Sequence, residues 1–199
     1  MKKYKFSIIT PEHSKKNIPF LVELYETIKG QTYTDWEWIL YLNGECKTSD
    51  IPDEIKADKK VKIHTGITNS NIGFIKNKAF FLGTGDILVE VDHDDLLSLD
   101  CLEELNLAFQ DEEIGFAYSE NLLYDMRGNE FKVPWNPENG WTNTWVNFRG
   151  EDFMKIDQFP ATSQSVSIIW YAPDHVRSWR KEIYHELGGH NPELNICDD

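Results

Sequence analysis

Asp92-His93-Asp94-Asp95 is the segment of this 199-residue chain best equipped for chemistry. Three carboxylates in four residues repel one another unless protons or a cation relieve them. They follow directly on the β-rich run Ile87 to Val91, so they stand at the exit of a strand. Oxygen-only ligands suit Mg²⁺, Mn²⁺ or Ca²⁺ rather than zinc. A calcium EF-hand loop is excluded, because Leu96 and Leu97 fall where that loop needs a ligand and a glycine. Taken alone, the tetrad reads as a divalent-cation site or as a strand end whose acids cap the next helix. Four tryptophans, Trp135, Trp141, Trp145 and Trp170, crowd the second half. Indole faces stack on sugar rings, and they also pack cores. His175, His185 and His190 read as structural histidines.

The elements that must position the tetrad alternate along the first half. Lys5 to Thr10 reads as a short strand. Asn17 with Pro19 opens a helix that carries Leu21, Leu24, Tyr25 and Ile28 on one face and closes at Gly30. Trp36 to Leu42 is a second strand, ended by the turn signal Asn43-Gly44. Val61 to His64 and Ile87 to Val91 are two more, separated by a helix over Ile72 to Leu82. Ser98 is placed to cap a helix from Leu99 to Gln110. Such alternation predicts an α/β fold with a mostly parallel sheet covered by helices, and ligands bind such sheets beyond the strands' carboxyl ends. The second half is less regular. Gly115 to Tyr124 and Val166 to Ala172 read as strands, Arg180 to Leu187 as a helix, and Pro134 to Pro160 as a long functional loop.

Lys and Arg number 20 against 34 Asp and Glu, a net charge of −14, which excludes nucleic acid and anionic membrane as main partners. The excess is local. Asp86 to Asp125 contains 13 acidic residues and no Lys or Arg, and the rest of the chain is nearly neutral. No apolar run reaches the ~18 residues of a transmembrane segment. The basic start, Met1 to Lys5, lacks the apolar stretch of a signal peptide. Cys46, Cys101 and Cys197 are too few and too far apart for a disulfide framework or a zinc site, so a cytoplasmic location is expected.

Thr84-Gly85-Asp86, the run Ile87 to Val91, and Asp92-His93-Asp94-Asp95 with Leu97 resemble the core signature of family 2 glycosyltransferases, which have the GT-A fold. Other pieces resemble that family in the same order: Phe6 to Pro11, Leu42-Asn43-Gly44, Asn71-Ile72-Gly73 with Lys76-Asn77, Arg180 to Asn191, and Asp198-Asp199. Asn43 stands where the family usually has an acid, and Lys76 where it has Arg, losing a bidentate fork. The resemblance implies a GT-A domain over residues 1–199, with a nucleotide-sugar half over 1–125 and an acceptor half over 126–199. Family members continue past the pair equivalent to Asp198-Asp199, so a truncated acceptor half is expected.

The resemblance implies an inverting, metal-dependent glycosyltransferase of glycan or polysaccharide biosynthesis, with Mn²⁺ or Mg²⁺ as cofactor. Asp94 would ligate the ion, and Asp92 would reach it or the ribose, with His93 beside them. Thr10, Pro11 and Glu12 would line the nucleoside pocket, Asn43 would meet the base, and Asn71 and Lys76 would lie near the diphosphate. Asn43 suits UDP or dTDP, so a UDP-sugar donor is favoured, with a glycan or other hydroxyl as acceptor. Asp199 would be the general base, with Asp198 second. Two other classes stay open. One is a non-catalytic domain that binds a nucleotide sugar, a divalent ion or a glycan. The other is a sugar nucleotidyltransferase, which usually needs a Gly-rich basic loop where this chain has Thr10-Pro11-Glu12-His13.

Overall fold

The computed structural model describes residues 1–66, 71–123, 138, 140–148, 150–168 and 175–195. The chain divides into two compact units, residues 1–117 with 178–199, and residues 118–177. The sequence-based boundary at 125/126 divides it differently, because the C-terminal segment packs with the first unit.

In the first unit the strands are β1 (Phe6–Glu12), β2 (Trp36–Leu42), β3 (Val61–Thr65) and β4 (Ile87–Glu90). The helices are α1 (Ile18–Lys29), α2 (Asp53–Ala57), α3 (Ile72–Phe80) and α4 (Cys101–Ala108). β1 pairs in parallel with both β2 and β4, and β2 with β3, as the alternation predicts. Every residue of β1, β2 and β4 is buried, which explains why these strands are rich in apolar residues on both faces. The sheet order is β3-β2-β1-β4-β9-β5, with β5 at Phe116–Tyr118 and β9 at Arg177–Arg180. Helix α6 (Lys181–Glu186) follows β9 directly.

On one face Ile9, Ile39, Tyr41 and Leu88 meet Ile75, Ala79 and Phe80 of α3 and Tyr184 of α6. Burying each such aliphatic or aromatic side chain stabilises the fold by about 1.5–3 kcal/mol. Elsewhere in the unit Tyr25 of α1 stacks on Trp38 at 5.8 Å between ring centroids. Asn17 precedes α1 but does not cap it; its amide instead donates to Glu12 at 3.0 Å. Ser98 does not cap α4 either. Its carbonyl accepts from the Gln31 amide, and the helix begins at Cys101 with Asp100 in the cap position.

The second unit holds an antiparallel sheet of order β6-β8-β7, with β6 at Asn121–Leu123, β7 at Thr142–Phe148 and β8 at Glu151–Asp157. The loop expected over Pro134 to Pro160 therefore contains a hairpin, turned at Gly150, whose φ is +88°. Gly115 to Tyr124 is not one strand but two, β5 and β6, in different sheets. The strand expected from Val166 to Ala172 is corrected as well. Ser163–Ile168 is a short helix, α5, whose first turn is held by Thr162 Oγ1 accepting from Ser165 N, and 169–172 lie outside the described residues. Trp141 is buried against Phe159, Trp145 is exposed, and Trp135 and Trp170 lie outside the described residues. No described helix is long and apolar enough to cross a membrane. Cys46 and Cys101 are free thiols.

Candidate functional site

Parallel pairing brings the exits of β1, β2, β3 and β4 to one edge of the sheet, and backbone hydrogen bonds tie them together. Asn43 N donates to the Glu12 carbonyl at 2.8 Å, Gly66 N to Leu42 at 2.8 Å, and Val91 N to Ile9 at 3.2 Å. The turn after β2 needs Gly44: its φ is +60°, and a Cβ there would lie 2.7 Å from the His13 carbonyl oxygen. The residues singled out from the sequence at this edge are thus neighbours by construction of the sheet.

They differ in what their side chains do. Thr10 is fully buried, and its hydroxyl accepts from the Trp38 indole at 3.0 Å. Pro11 is buried beside it. Glu12 is fully buried too. Its Oε1 accepts from Ser14 N at 2.7 Å and from the Asn17 amide, while Oε2 has no hydrogen bond among the described residues and lies 3.9 Å from His93 Nδ1. His93 also meets the His13 ring edge-on at 6.1 Å. Asn43 is buried to 8% exposure at the β2 exit. Asn71 caps α3, its Oδ1 accepting from Phe74 N. The Cys46 thiol is pushed up to about 11, by burial first and then by the charges of Glu12 and Asp50, so it is no nucleophile at neutral pH.

Lys76 is buried at 6% exposure, which excludes a solvated helix lysine. It forms an ion pair with Glu90 of β4, and its Nζ lies 3.7 Å from Asp92 Oδ1. Glu90 Oε2 in turn lies 3.4 Å from His190 Nε2. His190 Nδ1 is 2.5 Å from the Tyr184 hydroxyl, and the His190 carbonyl accepts from the Asn77 amide at 2.9 Å. Sequence reasoning missed Glu90. The available signal was an acid inside an otherwise apolar strand, with a lysine on the helix that covers it.

Asp92 is half-buried and Asp94 is exposed. The Asp94 carboxylate has no hydrogen bond or ion pair among the described residues. The donor set Asp92 and Asp94 is all oxygen, and Lys76, whose Nζ lies 3.7 Å from Asp92, is paired with Glu90. These residues therefore fit a hard divalent ion. Asp198 and Asp199 lie outside the described residues.

The model for glycosyl transferase family 2 matches residues 7–182. The O-antigen biosynthesis protein RfbC of Myxococcus xanthus is 25% identical over 142 residues, which is 66% of this chain and 11% of that protein. A glucosyl-dolichyl phosphate glucuronosyltransferase of Haloferax volcanii is 26% identical over 102 residues, 51% of this chain and 33% of that protein. Among solved structures, S. aureus TarS 1–349 in complex with UDP-GlcNAc superposes with a TM-score of 0.63 at 17% identity, covering 98% of this chain and 51% of that one. The mannosyltransferase PcManGT of Pyrobaculum calidifontis, in complex with GDP-Man and Mn²⁺, gives 0.63 at 17%, covering 100% and 50%. The chain thus spans about half of these structures and a third or less of these curated relatives. The superpositions establish the fold as GT-A.

Proposed function

The chain belongs to glycosyl transferase family 2, and from that premise we propose that it is a metal-dependent, inverting glycosyltransferase of glycan biosynthesis that uses a nucleotide-diphosphate sugar, UDP-sugars being favoured. The observation that carries this reading is the placement of Asp92 and Asp94 at the exit of β4, on the sheet edge that also holds Glu12 and Asn43. The nucleotide sugars bound by the TarS and PcManGT structures support a donor of that class.

A bound Mn²⁺ or Mg²⁺, held by Asp94 and by Asp92 directly or through water, would supply Lewis-acid stabilisation of the leaving diphosphate. The chain's own groups do the rest. Asn43 both accepts and donates, which matches the imide edge of uracil or thymine. Pro11, Glu12 and His93 wall the nucleoside side. Asn71 and Lys76 build the floor, with Thr10 holding β1 to Trp38 beneath. Asp199, with Asp198 second, takes the proton of the acceptor hydroxyl as the new bond forms, and one direct displacement inverts the anomeric carbon. Donor binding belongs to the first unit and acceptor binding to the second half, where the exposed Trp145 offers an indole face. The free Cys46 and Cys101 support a cytoplasmic setting.

Thermal shift against UDP-, GDP- and dTDP-sugars, with and without Mn²⁺, tests the reading, because a ligand that binds only the folded state raises Tm. A UDP-sugar with Mn²⁺ is expected to give the largest rise, Asp94→Asn to abolish its metal-dependent part, and Asp199→Asn to keep the rise while losing transfer. No shift with any nucleotide sugar, metal present or absent, sinks the proposal.

A further inference from the structure

We propose that a cleft at the amino-terminal edge of the central sheet binds a phosphate group, free or carried by a small ester. The cavity has a volume of about 320 Å³ and lies within the first unit. Lys2 and Tyr4, which precede β1, line it with Asp86, which precedes β4, and with Arg180 and Lys181, where β9 meets α6. β1 and β4 run parallel, so this is the edge opposite to the one that holds Asp92 and Asp94. None of these residues belongs to the groups proposed to touch donor, metal or acceptor, and the inference does not depend on the transferase reading.

Arg180 carries the argument. It is only 7% exposed. Its Nε donates to the Ile114 carbonyl at 2.8 Å, and its Nη2 to the Phe109 and Asp111 carbonyls at 2.8 and 2.9 Å. Its guanidinium carbon lies 5.2 Å from the ring centres of both Tyr4 and Phe109. Carbonyls and rings fix the group, but no carboxylate among the described residues pairs with it. A buried charge without a counter-ion is costly. Nη1 is the nitrogen left over. It makes no hydrogen bond among the described residues and is not sealed from solvent, so it opens to the cavity that Arg180 lines.

Two lysines add to it. Lys2 Nζ lies 4.7 Å from the Tyr4 ring centre, and Lys181 Nζ donates to the Thr84 carbonyl at 3.2 Å. Neither has a carboxylate partner among the described residues. Their backbones are anchored: Lys2 N donates to Gln110 Oε1 at 2.9 Å, and Lys181 N to the Asp86 carbonyl at 2.9 Å. Three cations thus line one cavity in a chain whose net charge is −14. A phosphate group matches them, because it brings three acceptor oxygens and up to two negative charges, where a carboxylate brings two oxygens and one charge. The acids of the cleft do not fill that role. Asp86 Oδ2 already accepts from Lys5 N at 2.9 Å. Glu182, which also lines the cavity, is exposed and has no hydrogen bond or ion pair among the described residues, so it acts as a like charge toward an anion. Small-molecule sites occupy roughly 300–1,000 Å³, so a cavity at the low end takes only a small ester.

The test is inorganic phosphate titrated into the full chain, in buffer stripped of metal on a chelating resin, and followed by amide ¹H–¹⁵N shifts. Sodium chloride at matched ionic strength is the blank. Saturable shifts are expected at Tyr4, Asp86 and Lys181 rather than at Asp92 to Asp95. Lys2→Gln/Lys181→Gln removes two charge-assisted hydrogen bonds and should weaken binding about tenfold or more. Glu182→Gln removes a like charge and should tighten it about two- to threefold. Arg180→Lys keeps the charge but loses the free Nη1, and should weaken it about tenfold. The other two variants carry the test if Arg180→Lys fails to fold. Glycerol 3-phosphate is the second ligand. Tighter binding than inorganic phosphate identifies an ester, equal or weaker binding the free ion, and both bear the site out. The proposal is overturned by shifts that chloride reproduces, by shifts confined to the β4 exit, by a two-lysine variant that binds as the wild type does, or by Glu182→Gln failing to tighten binding. Metal-dependent donor binding does not enter this readout, so its failure and that of the transferase reading are seen separately.

Discussion

Glu37 and Glu90 are both acids buried in the central sheet, on the two strands that flank β1, and the contrast shows what a buried carboxylate needs. Burial alone would raise the pKa of Glu37. Hydrogen bonds from Ser7 Oγ, Thr84 N and Thr84 Oγ1, all at 2.7 Å, and the ion pair with Lys5 at 3.0 Å outweigh it and pull the carboxyl down to about 2 from 4.5. A folded pKa below the unfolded one means stability that is complete above pH 4.5 and is lost as pH falls toward 2. The shift corresponds to stabilisation on the order of 3 kcal/mol at neutral pH. Glu37→Gln is expected to lose most of that in urea unfolding at pH 7. The gap between variant and wild type should close steadily between about pH 4.5 and 2; a gap that stays constant with pH contradicts the account. At this scale the sequence was legible where chemistry is local. The spacing Asp92-x-Asp94 is visible in the chain, whereas Glu90 and His190 are 100 positions apart and meet only through the fold.

Elements were legible in proportion to their burial. The run Trp36 to Leu42 reads as a strand and is one end to end, because both its faces are covered and every residue is apolar or held. The β7–β8 hairpin was hidden because its residues are mostly exposed or half-buried, with Asn, Thr and Trp alternating in no clean apolar pattern. Helix α5 was hidden because Val166 and Ile168 are exposed, so their β-preference has no core to act on and the Thr162 cap decides. The same view of elements makes the turn after α6 testable. Gly188 and Gly189 both have positive φ, +85° and +72°. A Cβ at Gly188 would meet nothing within 4 Å, but one at Gly189 would lie 2.5 Å from the Tyr184 ring, which is stacked on Phe80. Gly188→Ala should cost about 1 kcal/mol of backbone strain, and Gly189→Ala about 2–3 kcal/mol or more, through strain plus displacement of Tyr184. Equal costs in urea unfolding would show that the tyrosine contact carries no energy.

For the whole molecule, the net charge of −14 argues against a nucleic-acid surface and yet is compatible with a phosphate ligand, because the acidic excess is concentrated around the proposed cation site. The division into units says which part of the chain that site needs. Glu12, Asn43, Lys76, Glu90, Asp92, Asp94 and His190 all belong to residues 1–117 and 178–199. The two segments of this unit meet where the other unit is inserted: Ser178 Oγ donates to the Ala117 carbonyl at 3.2 Å. Residues 118–177 can therefore be removed and Ala117 joined to Ser178 through a short Gly-Ser linker without spanning any distance. The shortened chain keeps the parallel sheet, α3 and its core with Tyr184, so it is expected to fold and to retain the Mn²⁺-dependent Tm rise with a UDP-sugar. Transfer to an acceptor should be lost, since most of the proposed acceptor half, residues 126–177, is gone. A folded variant that no longer binds the donor would place essential donor contacts in 118–177 and overturn the assignment of the donor site to the first unit.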